Sequence, residues 1–303
     1  MAMYNLLNHA GADGAPRAAI AVDGWVFDLE PALGPVTTID LVADWAESAP
    51  RLEGLARDAA AGRLDAAKAG AVAEARLLAP LLLPSALICA GANYAKHVKE
   101  MTGSEFDKST RRPYFFLKLP RQCVIGPDAP IPLPHTSEQV DWEVELAVVI
   151  GRTARNVTAA EALDYVAGYT IMNDVSARDL GRRPDWPNWG MDWLGHKTFD
   201  GAAPMGPWMT PAGAISDPHA LDIKLWLNDE LQQDSNTSDL IFDVTEQIEY
   251  LSEHFTLHPG DVISTGTPSG VGRPRGIFLK PGDVVRMEIE GIGEMSNPVV
   301  AGR

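Results

Sequence analysis

The segment from Val140 to Ile150 constrains the fold more than any other part of the chain. Successive side chains of a strand point to opposite faces. One face therefore carries Val140, Trp142, Val144, Leu146, Val148 and Ile150, all apolar. The other carries Asp141, Glu143 and Glu145, then continues as Ala147 and Val149. A strand with one apolar and one acidic face is ordinarily half-solvated. Here the acidic face runs on into small apolar residues, which points to cover over both faces. Glu143 and Glu145 project the same way, about 7 Å apart at ordinary strand rise. Two covered carboxylates must share a cation or hold protons, and a hard divalent ion with oxygen ligands satisfies both.

A third oxygen ligand is available at Asp174, where the apolar run from Tyr169 to Met172 gives way to a turn. An Asp in that place also caps helices, so both readings stand. Three carboxylates without His or Cys suit Mg2+ or Mn2+ and not zinc or copper. Only Cys89 and Cys123 occur, in neither CxxC nor CxxH spacing, which argues against a zinc site or a disulfide framework.

The rest of the chain divides in two. Residues 1–82 read as a small α/β module. Asp23-Gly24 joins two apolar runs as a hairpin turn, and an alanine-rich stretch from Glu53 to Ala79 favours helix. Residues 83–303 show short strand-like runs between Pro/Gly turns, with Pro259-Gly260-Asp261 recurring as Pro281-Gly282-Asp283 ahead of β-branched pairs. Helices are expected there at Ala159–Val166 and Val244–Phe255. The fold class is α+β, predominantly β. A net charge of −16 disfavours nucleic acid as a partner. No run of eighteen apolar residues offers a membrane span, and the N-terminus lacks the features of a signal peptide. A cytoplasmic location is the default expectation.

Several stretches, in this order, resemble the fumarylacetoacetate hydrolase family across nearly all of residues 87–300. They are Gly91–Glu100, Tyr114–Lys118, Asp141–Gly151, Asn173–Asp179, Gly195–Asp200, Gly266–Gly272 and Phe278–Asp283. The resemblance implies a mixed β-roll, a homodimer, and Mg2+ or Mn2+ held by Glu143, Glu145 and Asp174. It further implies that His97 and Glu100 activate water on a segment closing over the substrate, with Lys197 as a further catalytic residue. Tyr94, Lys118, Arg178 and Thr267 become the expected substrate-binding residues.

His97 and Glu100 are three apart, so on a helix they share a face, and a carboxylate beside an imidazole fixes its tautomer. The stretch Thr102–Glu105 beyond them reads as a lid. Lys197 is partly buried and needs an anion, which the metal's carboxylates, the substrate or Asp200 could supply. Lys118 could equally snorkel to the surface. The glycine spacing in Gly266–Gly272 is not that of a P-loop, so nucleotide binding is not expected.

The reaction these roles imply is metal-dependent cleavage of a carbon–carbon bond in a 2,4-dioxo acid, giving a pyruvate-type product and a carboxylic acid. A decarboxylase, tautomerase or lyase acting on a related 2-oxo acid such as oxaloacetate shares the same enolate chemistry. One departure stands out. After Ala177–Leu180 many relatives place a Gln where this chain has Gly181, and the following Arg182–Trp193 is rich in Trp and Pro. That segment reads equally as a pocket wall or as a dimer contact.

Overall fold

The central strand Val144–Ile150 is buried along its whole length, on both faces. It lies in the middle of a twelve-stranded sheet, antiparallel to Val166–Asn173 on one side and to Val262–Ser264 on the other. This computed structural model describes residues 3–302. Beyond Val262–Ser264 the sheet continues through Leu87–Gly91, paired in parallel, and ends at Tyr114–Lys118. Beyond Val166–Asn173 it continues through Ala203–Pro211 to the N-terminal strands. A five-stranded sheet, with Asp222–Leu227, Val284–Ile289 and Gly293–Ala301 at its centre, packs beside it. Mixed sheets dominate, as expected for an α+β, mainly β chain.

The N-terminal residues do not form a separate sheet. Asn5–Ala10 pairs with Ala203–Pro211 through Leu6 and Met209, and Tyr4, Leu6 and Ile20 share one apolar core with Leu146 and Ile171. The Asp23-Gly24 hairpin forms as read, with φ of 47° and 80° at its two turn residues. Both Pro-Gly-Asp turns lead into strands, Val262–Ser264 and Val284–Ile289.

Two helix expectations need correction. The alanine-rich stretch from Glu53 to Ala79 is α-helical only as far as Ala60, the end of the helix Trp45–Ala60, after which Gly62 takes a φ of 71°. Lys68–Ala71 then becomes an edge strand against Trp25–Asp28, because tertiary pairing outweighs alanine's mild helix preference. Ala159–Val166 holds only a short 3-10 turn, Ala162–Tyr165, before Val166 enters the sheet. The helix Val244–His254 matches its expectation and starts with a capping box between Asp243 and Glu246.

Candidate active site

Register places the carboxylates. Val144 pairs with Asn173 and Glu145 with Met172, and the Asp174 N–H donates to the Glu143 carbonyl (2.9 Å) just beyond the paired residues. The ends of two adjacent central strands thus bring Glu143, Glu145 and Asp174 together. One carboxylate oxygen from each lies within 4.8 Å of the others, and all three side chains are buried.

Fixed cations surround them. Lys197 Nζ donates to Glu143 Oε2 (2.8 Å) and Asp174 Oδ2 (2.5 Å). Arg178 contacts Glu143 and donates to Asp141 Oδ2 (2.9 Å). Burial pushes the Glu143 carboxyl up, but Arg178 and Lys197 outweigh it and hold it well below the usual range. Glu145 has the opposite balance. Burial, then the charges of Asp174 and Glu143, push it well above the usual range. Its Oε2 accepts from Ser264 and from the Gly266 N–H, while its buried Oε1 has no partner. An orphaned carboxylate oxygen facing two more carboxylates fits a hard divalent cation held by oxygen ligands.

Asp141 belongs elsewhere. Its oxygens accept from the N–H groups of Gly272 (2.7 Å) and Arg273 (3.0 Å), pinning the glycine-rich loop. The acidic run is therefore split between loop anchoring and the carboxylate cluster.

A cavity of about 350 Å3 opens over the cluster, at the small end of the range for ligand pockets. His97, Glu143, Glu145, Arg178, Lys197 and Thr267 lie on its wall, and Tyr94, Glu100, Lys118 and Asp174 do not. His97 projects from the helix Ala95–Thr102, which packs Val98 against Ile241 and Phe242. Its Nδ1 lies 3.5 Å from Glu100 Oε2 and has no hydrogen-bond partner. Glu100 instead accepts from the Gly270 N–H with both oxygens (3.1 Å each). The helix ends at Gly103 in left-handed geometry, and Glu105 beyond it pairs back onto Lys99 (2.6 Å).

Lys118 does not snorkel. It is fully buried, 2.8 Å from Asp174 Oδ1, and its protons go to the carbonyls of Val175, Lys197 and Ala202. The Thr267 hydroxyl donates to the Val144 carbonyl (3.0 Å) and accepts from Gln233 (2.9 Å). The Tyr94 hydroxyl is buried without a partner, and burial, then the charge of Glu145, push its pKa up.

Met191 and Trp193, from the Trp-rich segment read as a pocket wall or a dimer contact, also line the cavity, as do His196 and Arg273, which sequence reading did not single out. His196 sits beside Lys197 in a stretch singled out for its lysine alone, and its place in that stretch was the available signal. Burial, then Lys197 and Arg178, lower its pKa to about 2, so the ring is neutral. Trp193 stacks on Phe116 at 4.6 Å. The rest of the Trp-rich segment faces outward. Trp186 and Trp189 are 54% and 73% exposed, and Arg183 pairs with Asp185.

Comparison with known proteins follows the same lines. The fumarylacetoacetate hydrolase C-terminal family model matches residues 86–300. The mitochondrial oxaloacetate tautomerase of Xenopus laevis is 44% identical over 226 residues, 74% of this chain and 68% of that protein. A mitochondrial oxaloacetate tautomerase of Bos taurus is 43% identical over 231 residues, 75% of this chain and 70% of its own length. A maleylpyruvate hydrolase from Sphingobium sp. SYK-6, solved with manganese(II) and pyruvate, shares the fold with a TM-score of 0.78. It is 32% identical, over 99% of this chain and 100% of that one.

These relatives overturn the expectation of a cytoplasmic location, since similar proteins are named mitochondrial. Compartment is read by receptors from targeting segments, so core composition carries no information about it. Among the described residues no helix is long and apolar enough to cross a membrane. By the matched residues, the shared sheets and the carboxylate cluster, this chain belongs to the fumarylacetoacetate hydrolase family of enzymes.

Proposed function

We propose that the chain transfers a proton on a small 2-oxo dicarboxylic acid, interconverting the keto and enol forms of oxaloacetate. The observation that carries this reading is the cavity itself. It sets the imidazole of His97 beside a carboxylate cluster and the cations Arg178 and Lys197. The tautomerases among its relatives support the choice of substrate.

Glu143, Glu145 and Asp174 would hold the divalent cation, Mg2+ or Mn2+. When bound, the ion supplies Lewis-acid polarisation of a 2-oxo group. His97 takes the proton from the carbon next to the oxo group, and the electron pair moves onto the oxo oxygen. Return of that proton from His97 to the oxygen completes the enol and restores the imidazole, with no bond to water formed and no carbon–carbon bond broken. Arg178 and Lys197 offset the negative charge that develops. The charged groups on the wall, Glu143, Glu145, Arg178 and Lys197, are themselves buried, which strengthens their interactions.

Carbon–carbon bond hydrolysis is a second reading, favoured by the nearness of Glu100 to His97 and by the maleylpyruvate hydrolase neighbour. It requires Glu100 to hold the imidazole tautomer while His97 deprotonates water. In this structure both Glu100 oxygens are turned to Gly270, which favours the one-base reaction. Tyr94, Lys118 and Thr267 act in either reading by shaping the site around the ligand. The working unit is proposed to be a homodimer, which light scattering tests directly.

The deciding experiment follows enol absorbance of oxaloacetate and product release from 2,4-dioxo acids, with Mg2+, with EDTA and with His97→Ala. Metal-dependent enol decay that falls about 100- to 10,000-fold in the variant supports the tautomerase. Pyruvate and a carboxylic acid from dioxo acids, with oxaloacetate inert, would replace it with the hydrolase.

A further inference from the structure

We propose that His196 determines substrate specificity at this site by binding the distal carboxylate of the substrate, in space that Gly181 leaves open. This rests on the reading that the cavity takes a 2-oxo dicarboxylic acid. His196 is 3% exposed on the cavity wall, and neither ring nitrogen has a hydrogen-bond partner. An imidazole carries at least one N–H, and a buried donor left unpaired is costly, so such a ring in a cavity wall is matched to a ligand. Its charged neighbours are Arg178 and Lys197, with Glu143 opposing them.

The ring is held in place from two sides. It stacks on Trp193, with ring centres 5.8 Å apart, and Trp193 in turn stacks on Phe116. The short helix carrying both residues starts with Asp192 accepting from the Gly195 N–H (3.0 Å). A Cβ at position 181 would lie 3.1 Å from His196 Nδ1 and 2.8 Å from the Met191 methyl. The imidazole thus lies against the place where the Gln of many relatives would begin. This wall comes from the segment Gly181–Lys197 and not from the strand ends that carry the carboxylate cluster. A ligand whose 2-oxo head sits at the cluster would therefore present its far end to His196.

Two stable probes separate the two ends of the ligand. Malate has a chelating head and a distal carboxylate, whereas oxalate has the head alone. Their affinities would be measured by calorimetry with Mg2+ for the wild type, His196→Gly, His196→Gln, Gly181→Gln and the double variant G181Q/H196G. Thermal midpoints and oxaloacetate kinetics would be recorded alongside. His196→Gly is expected to weaken malate by about ten-fold or more, the scale of a hydrogen bond to a charged group. Its oxalate affinity should stay unchanged, and KM for oxaloacetate should rise more than kcat falls. His196→Gln, which keeps a donor, should recover most of the malate affinity. Gly181→Gln alone should displace the ring and weaken malate, and the double variant should bind malate better than either His196→Gly or Gly181→Gln.

Equal loss of malate and oxalate, or no loss of either, overturns the proposal, as does a wild type that binds neither probe. If malate affinity follows His196 but oxaloacetate is not turned over, the tautomerase reading falls and the role of His196 stands. If oxaloacetate is turned over and malate affinity ignores His196, the reverse holds.

Discussion

At the scale of single residues, Glu145 is the side chain the site treats least generously. It has one orphaned oxygen and is pushed towards protonation by burial and then by its two carboxylate neighbours. Glu145→Gln should therefore keep or raise the thermal midpoint of the metal-free protein while abolishing the rise that Mg2+ produces. That rise corresponds to about 2.7 kcal/mol at a hundred times Kd. Differential scanning fluorimetry with and without Mg2+ checks both halves. A variant that still gains stability from Mg2+ would remove Glu145 from the ligand set. Glu143, Glu145 and their shared direction were legible from strand alternation alone, since two-residue spacing needs no long-range knowledge. Asp141 was not separable from them by that logic. Its partners, the Gly272 and Arg273 N–H groups and Arg178, come from distant parts of the chain. Arg273 and His196 stayed hidden for the same reason, because neither falls in a spacing that marks a site.

Among the elements, the helix Val244–His254 was readable at both ends because its start signal is chemical. Asp243 accepts from the Glu246 N–H (2.9 Å), and Glu246 accepts from the Asp243 N–H (2.9 Å). Burial pushes the Asp243 carboxyl up, but the Thr245 hydroxyl and the Glu246 N–H outweigh it, so its pKa is lowered. A carboxyl whose folded pKa is depressed adds stability above its unfolded pKa and loses it as pH falls through the folded value. Asp243→Ala should cost about 1 kcal/mol at neutral pH and make the acid limb of the stability profile shallower. Urea melts of both proteins from neutral to acid pH measure this, and parallel profiles would show that the cap does not titrate. The alanine-rich stretch shows where local reading stops. Its composition favours helix throughout, yet Lys68–Ala71 is drawn into the sheet by an open edge at Trp25–Asp28.

For the whole molecule, the continuity of the large sheet could not be read from the sequence. It depends on Leu6 meeting Met209, a pairing that no local pattern encodes. We keep the division at residue 82 as a proposal about folding units, and it has a direct test. Deleting residues 1–82 would bare the edge of Ala203–Pro211 and the core face that Tyr4, Leu6 and Ile20 cover. The truncated chain is expected to aggregate on size-exclusion chromatography. A monodisperse product that binds oxalate with Mg2+ would establish residues 83–303 as an independent unit.

The cage of charges at the centre also dictates an order of arrival. Asp141, Glu143, Glu145 and Asp174 face Lys118, Arg178 and Lys197, so four carboxylates meet three cations. With Glu145 ionised that balance leaves one surplus negative charge, and with Glu145 protonated it leaves none, so in neither state is an anionic ligand drawn in. A divalent ion reverses the surplus to one positive charge, and only then does a dicarboxylate gain by entering. Ligand uptake should thus be compulsorily sequential, cation before acid. Calorimetric titration of oxalate into metal-stripped protein should give no heat of binding until Mg2+ is added, and saturating oxalate should tighten the protein's hold on Mg2+ by the same factor.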